Sequence, residues 1–235
     1  MIKYVWATQS RSGSQFLLDL TMKALPASEI WPQSRINGCG ADTQRKNENE
    51  LKCLLDNNRP LYQYFQKHHI KAVKVEEPSM NRVGYKLMQC VPNACWLASV
   101  RKIEDIVVSH YNIKSWGFPE AKVLRLWRAN LNFYEHIFKT KNPLLLIDVR
   151  NPKNNNIDLF CKFLGVSPTS RLQTTFDEWG VINPLSRQKR IHNESDVNAK
   201  EIPHNISTLR SRYKWVDLIE HRYQVLFQRC LHELK

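Results

Sequence analysis

Residues 3–18 read KYVWATQSRSGSQFLL, and this stretch decides the fold. Lys3 to Thr8 is rich in β-branched and aromatic residues, as a buried strand is, whereas Phe16, Leu17, Leu20 and Met22 to Leu25 follow closer to helical spacing. Between them lies a short Arg11-Ser12-Gly13-Ser14 loop. The first N–H groups of a helix have no carbonyl partner, and the aligned peptide dipoles add partial positive charge there. Gly13 permits close backbone approach, Ser12 and Ser14 offer hydroxyls, and Arg11 offers a planar fork of donors. The segment is suited to a phosphate or sulfate group. It lacks the second glycine and the lysine of a Walker-type loop, which disfavours ATP or GTP hydrolysis.

A second anion site is spelled by Cys95 to Tyr111, CWLASVRKIEDIVVSHY. An apolar run ends in Arg101, and a helical pattern follows with Ile103, Ile106, Val107 and His110 on one face. Arg101 at the strand end and Ser109 on the helix can converge on one anion.

Taken together, the two sites resemble those of the sulfotransferases that use 3'-phosphoadenosine 5'-phosphosulfate (PAPS). In that family a [Lys/Arg]-Ser-Gly-[Thr/Ser]-x-[aromatic/Leu]-Leu loop holds the 5'-phosphosulfate, matched here by Arg11, Ser12, Gly13, Ser14, Gln15, Phe16 and Leu17. An Arg and a Ser separated by seven residues hold the 3'-phosphate, matched by Arg101 and Ser109 with Asp105 and Tyr111 in place. A third match is LLLIDVRNPKNNNIDLFCKFLG, residues 144–165, similar to the family's strand, acidic residue and returning helix. The first motif is nearest to the bacterial carbohydrate enzymes of the trehalose type. The resemblance implies a PAPS-dependent sulfotransferase that acts on a hydroxyl acceptor such as a carbohydrate, releases 3'-phosphoadenosine 5'-phosphate (PAP) and needs no metal. Its implied location is cytoplasmic, in contrast to the anchored Golgi members.

The resemblance also implies catalytic roles. Arg11 opens the loop and belongs to the positive cradle. Lys86, in a segment read as a strand from Val83 to Met88, is similar to the lysine of the family's Lys-Thr-His segment, but Leu87 and Met88 stand where Thr-His would be. The histidine base is therefore absent. Bacterial and Golgi-type members use a carboxylate, often shortly after the first helix, and Glu29 occupies such a place; Glu76 and Glu77 are lesser candidates. Gln15 replaces the usual hydroxyl residue, and its amide can still donate to phosphate. Ser186 to Arg190 is similar to the basic segment that closes over the 3'-phosphate, with Arg190 the cofactor-binding candidate.

Composition agrees with an enzyme for anionic ligands. The chain has 235 residues, within the size of one α/β domain over residues 1–235, with 35 Lys+Arg against 22 Asp+Glu and a formal charge of +13. The basic residues are spread out rather than interleaved with aromatics, so no nucleic-acid partner is expected. The six cysteines have no C-x-x-C spacing, which argues against zinc and for a reduced protein. No signal peptide and no apolar run approaching the roughly 20 residues of a membrane span are visible.

Coarsely, strands and helices alternate, which predicts a three-layer, P-loop-like α/β fold around a mostly parallel sheet, with ligands outside the strands' carboxyl ends. The strands are expected at Lys3 to Thr8, Val83 to Met88, Cys95 to Val100 and Leu144 to Asp148. A short helical pair is expected at Glu48 to Leu55 and Pro60 to His69, and further helices at Ile103 to Lys114, Glu120 to Thr140 and Asn156 to Gly165. Residues 167–206 read as a surface loop or lid, and 207–235 as a docking helix, with a homodimer contact as the alternative. Trp31, Trp116 and Trp179 fall in mouth loops where a sugar could stack. Two other readings remain: an ATP-dependent P-loop-like kinase, and a catalytically silent polyanion-binding module.

Overall fold

The computed structural model describes residues 2–9, 14–26, 29–31, 61–79, 82–111, 120–149, 157–181 and 208–234. Its strands are β1 (Tyr4–Thr8), β2 (Ile30–Trp31), β3 (Ala72–Glu76), β4 (Cys95–Val100) and β5 (Leu144–Asp148). They form one sheet in the order β2-β3-β1-β4-β5, every neighbouring pair parallel. β1 and β5 are buried at every residue, which explains their near-continuous apolar runs.

The helices are α1 (Ser14–Ala24), α2 (Leu61–Lys67), α3 (Val83–Cys90), α4 (Ile103–Tyr111), α5 (Glu120–Lys139), α6 (Ile157–Leu164), α7 (Ser170–Val181), α8 (Leu209–Arg212) and α9 (Val216–Leu234). The alternation of each strand divides the core in two. Val5, Val73, Val75, Trp96, Ala98 and Leu146 pack with Phe133 and Tyr134 of α5 and Tyr223 of α9. Trp6, Ala72, Leu97 and Leu145 pack on the other face with Leu17 and Leu20 of α1, Phe160 of α6 and Phe176 of α7. This is the three-layer α/β architecture expected from the sequence.

Two assignments are corrected. Val83 to Met88 is helical, not a strand. Gly84 is the reason this helix can sit where it does: a Cβ there would lie 2.6 Å from Phe133 Cζ and 2.8 Å from the Pro78 carbonyl oxygen. The strand next to β1 is instead AVKVE, whose Lys74 and Glu76 disguise it as a solvated segment although Lys74 is buried. Within the expected lid, Ser170–Val181 forms α7, packed through Leu172 and Phe176; residues 182–206 lie outside the described residues, as does the helix expected at 48–55. Gly165 ends α6 with φ +64, and Val166 N donates to Cys161 O at 2.9 Å, a glycine-based helix stop. Trp31 is not a mouth residue. It is buried in β2 and meets Phe65 edge-on at 6.1 Å. Trp116 lies outside the described residues, and so does the side chain of Trp179. Among the described residues no helix is long and apolar enough to cross a membrane.

Burial has a consequence for alkaline stability. The Tyr134 hydroxyl donates to Ala7 O at 2.8 Å and the Tyr223 hydroxyl to Trp127 O at 2.9 Å, and burial holds both phenols well above their ordinary range. Burial likewise pushes the Cys230 thiol up to about 12. In each case the native state keeps its proton longer than the unfolded chain. The stability these groups share is therefore full below the unfolded pKa values, near 9.0 for the thiol and 10.0 for the phenols, and is lost as pH rises through the folded ones. Urea midpoints measured against pH should fall from about pH 9 upward, by about 1.4 kcal/mol per pH unit per group. A flat profile to pH 11 would show that these groups do not titrate differently on folding.

Candidate functional site

In this strand order the chain leaves β1 toward β3 and leaves β4 toward β5, so the connections diverge between β1 and β4. A crevice opens outside the carboxyl ends of the strands at such a point. The segments that leave β1 and β4 therefore meet at one edge.

Arg11, Ser12 and Gly13 of the β1 loop lie outside the described residues. Helix α1 starts directly after them at Ser14 and has no acidic residue in its first turn, so nothing there opposes its partial positive charge. The backbone of Ser14, Gln15 and Phe16 is described and their side chains are not. Leu17 and Leu20 are fully buried, and the Thr21 hydroxyl donates to Leu17 O at 2.7 Å, which seats α1 on the sheet.

Arg101 comes directly after β4. It is half-buried, with Nε 3.7 Å from Asp105 Oδ2 one turn into α4. Burial lowers its pKa and the Asp105 carboxylate opposes that shift; an arginine remains cationic throughout. Ser109 is buried in the second turn of α4, with Ile103, Ile106 and Val107 of the same helix in the core. Arg190 lies outside the described residues.

On the other side of β1, register places Thr8 opposite Glu76 and Trp6 opposite Lys74. Lys74 and Glu76 are two apart on one strand and so share a face, the face covered by α1. Lys74 Nζ lies 2.8 Å from Glu76 Oε1, with the two side chains only 4% and 10% exposed. A pair so desolvated adds little net stability, because the loss of hydration offsets the Coulomb attraction. What it provides is a carboxylate and an ammonium held at the carboxyl edge, beside β1. Strands lie about 4.8 Å apart, so β3, β1 and β4 bring Glu76 and the end of β4 within about 10 Å.

Helix α5 clamps this edge from the opposite face. Asn130, fully buried, donates from Nδ2 to Glu77 Oε2 at 2.7 Å, and its Oδ1 accepts from the Ser79 hydroxyl at 2.6 Å and from Ser79 N at 3.3 Å. One turn further on, Tyr134 holds Ala7 O. Glu77 has φ +52, a left-handed conformation that costs a non-glycine residue energy, and its N–H donates to Thr8 O at 2.8 Å. Two residues of one helix thus fix the carboxyl ends of β1 and β3 together.

The other two catalytic candidates are Glu29 and Lys86. Glu29 precedes β2; its carbonyl accepts from Lys71 N at 2.8 Å and its Oε1 lies 2.6 Å from Lys71 Nζ. Lys71 precedes β3, so this pair sits at the amino end of the parallel sheet, roughly 16 Å of strand from Glu76. Lys86 is in the middle of α3, half-buried, and not at a strand end. The structure thus brings Arg101 to the edge where α1 begins, with Glu76 and Lys74 beside it, and places Glu29 at the opposite end of the sheet; Lys86 is on α3 rather than on a strand. Lys74 escaped the sequence reading. The signal for it was the alternation Val73-Lys74-Val75-Glu76 closed by Glu77-Pro78.

The sheet order, the helix springing from the loop after β1 and the second helix after Arg101 together make this the P-loop-like fold of the sulfotransferases. No protein-family profile matches the chain, and no curated protein matches it. Among solved structures it is similar to mouse sulfotransferase SULT7A1 complexed with PAP, at 11% identity and TM-score 0.54 over 95% of this chain and 89% of that one. It is also similar to the sulfotransferase domain of the Synechococcus PCC 7002 olefin synthase, at 15% identity and TM-score 0.52 over 91% and 94%. The sulfotransferase domain from the curacin biosynthetic pathway gives 13% identity and TM-score 0.51 over 91% and 98%. At these identities the likeness is one of fold.

Proposed function

We propose that the protein is a PAPS-dependent sulfotransferase that moves a sulfuryl group to a hydroxyl acceptor, a carbohydrate being one class it would serve. The observation that carries this reading is the buried Lys74–Glu76 pair beside β1, on the edge where the α1 N-terminus and Arg101 also lie. A fold neighbour solved with PAP supports the choice of nucleotide.

Arg11 to Phe16 would hold the 5'-phosphosulfate, and Arg101 with Ser109 the 3'-phosphate. Glu76 takes the part first sought at Glu29. It accepts the acceptor hydroxyl's proton as the oxygen attacks sulfur and the bond between sulfur and the bridging phosphate oxygen breaks. Lys74, in the strand position first assigned to Lys86, neutralises charge arriving on the leaving phosphate together with Arg11. The reaction balances as PAPS plus alcohol giving PAP, sulfate ester and one proton held by Glu76, and it needs no metal.

Calorimetry with PAP, beside ADP and ATP with magnesium, tests the cofactor assignment. PAP should bind tightest, and Arg101→Ala should weaken it by roughly 1.5–3 kcal/mol, as expected for a charged hydrogen bond. Equal or absent binding of all three nucleotides would reject the reading and leave a basic α/β module for another polyanion.

A further inference from the structure

A second anion-binding surface lies on the outer side of α5, away from the sheet edge. A cleft of about 540 Å3 is lined by Ala121, Arg125, Arg128, Ala129, Asn132, Tyr213 and Trp215. Its volume is within the roughly 300–1,000 Å3 usual for small-ligand clefts. The floor is alanine, so a ligand can approach the helix closely. One wall is aromatic: Tyr213 and Trp215 meet edge-on at 6.2 Å, and the Arg128 guanidinium lies over the Trp215 ring at 5.8 Å.

Among the described residues, neither cation of this cleft makes an ion pair, and no carboxylate lines it. Arg125 donates through Nε to its own helix at Ala121 O, 3.2 Å away, and Arg128 rests on Trp215. The contrast with their neighbours is clear: Arg212 pairs with Glu120 and Arg222 with Glu135. Arg125 and Arg128 are three apart on α5 and so lie side by side, roughly 5–6 Å between Cβ atoms. Asn132 accepts from Arg222 through Oδ1 at 2.9 Å, which turns its amide donors outward.

We propose that this cleft is an accessory site for a sulfated or carboxylated sugar chain. Two adjacent guanidiniums match the acid groups, the amide of Asn132 matches hydroxyl or ring oxygens, and Ala121 and Ala129 leave room for the apolar edge of a pyranose against the helix, with no open aromatic face required. Single-stranded nucleic acid fits less well, because base stacking needs an open aromatic face and Arg128 already covers Trp215. The cleft spans residues 121–132 of α5, a stretch that includes Asn130, which reaches Glu77 from the opposite side of the helix. A chain held there would be kept near the reacting edge. That role in delivery rests on the sulfuryl-transfer reading, whereas the binding itself does not.

The test is calorimetric titration with a heparin-derived tetrasaccharide, using the full chain and the double variant Arg125→Glu/Arg128→Glu, with PAP titrated in parallel. Binding should weaken about tenfold or more in the variant, as two charge-assisted contacts at exposed positions require, with PAP affinity unchanged. A neutral cellotetraose should not bind. Equal tetrasaccharide affinity in both proteins, or no binding to the parent, overturns the site. So does equally tight, arginine-dependent binding of polyglutamate, a single-stranded oligonucleotide or anionic phospholipid vesicles, which would reassign its ligand. If the parent binds the tetrasaccharide through these arginines and does not bind PAP, the accessory site stands and the sulfotransferase reading fails.

Discussion

Glu76→Gln should lower sulfuryl transfer about 10²- to 10⁴-fold, the range for removal of a positioned general base, while PAP affinity stays within about threefold. The amide keeps the shape of the side chain and can still accept from Lys74 Nζ, which now sits 2.8 Å from the carboxylate. What it cannot do is take a proton. PAP release from PAPS in the presence of a screened hydroxyl acceptor is the measurement. Glu29→Gln is the matched control: its carboxylate pairs with Lys71 at the far end of the sheet, and its removal should leave the rate within about twofold. A Glu76→Gln variant as fast as the parent would end the assignment. If Glu29→Gln were the slow variant, the reacting edge would lie at the other end of the sheet.

The second large effect is expected at Asn130. Asn130→Leu keeps much of the volume but strips the donor from Glu77 Oε2 and the acceptor from both donors of Ser79, at a position fully closed to solvent. Leaving buried partners unsatisfied costs roughly 1–3 kcal/mol, more when one is charged, so a loss of about 2–4 kcal/mol is expected. For a chain of this size that lowers the thermal midpoint by about 5–15 °C. The same change frees the carboxyl ends of β1 and β3, so PAP affinity measured well below the new midpoint should also fall. Tyr134→Phe removes the bond to Ala7 O and the contact with the Gln9 backbone, and should cost about 1 kcal/mol. An Asn130→Leu protein with the parent's midpoint would show that the clamp contributes nothing.

The parts of the fold that were legible share a physical cause. β1, β4 and β5 are central or covered on both faces, and such strands must be apolar almost throughout, so their runs stand out against the helices between them. β3 is equally central and was hidden. Its Lys74 and Glu76 satisfy one another inside the protein, and a linear reading assigns charged residues to solvent. The opposite error befell α3, where Val83, Gly84 and Tyr85 suggest a strand. As a helix it seats Gly84 against Phe133 and Pro78, and Tyr85 against Phe133 at 4.8 Å, contacts no linear pattern displays.

The site divides in the same way. Arg101 and Ser109 fall, as read, directly after a strand and on the helix that follows it, because a strand end and the next helix are joined by a few residues and local geometry sets such placements. The carboxylate proposed as base could not be placed in this way, because Glu76 gains its position from pairing with Thr8, on a strand far away in the chain. By itself, then, the sequence determined that strands and helices alternate around a parallel sheet and that a glycine-serine loop opens a helix there. Which carboxylate stands at the carboxyl end of β3, beside β1, was decided only by the tertiary structure. A parallel sheet has two ends, Glu29 and Glu76 lie at opposite ones, and no local pattern says which end a charge will occupy until the strands are in register.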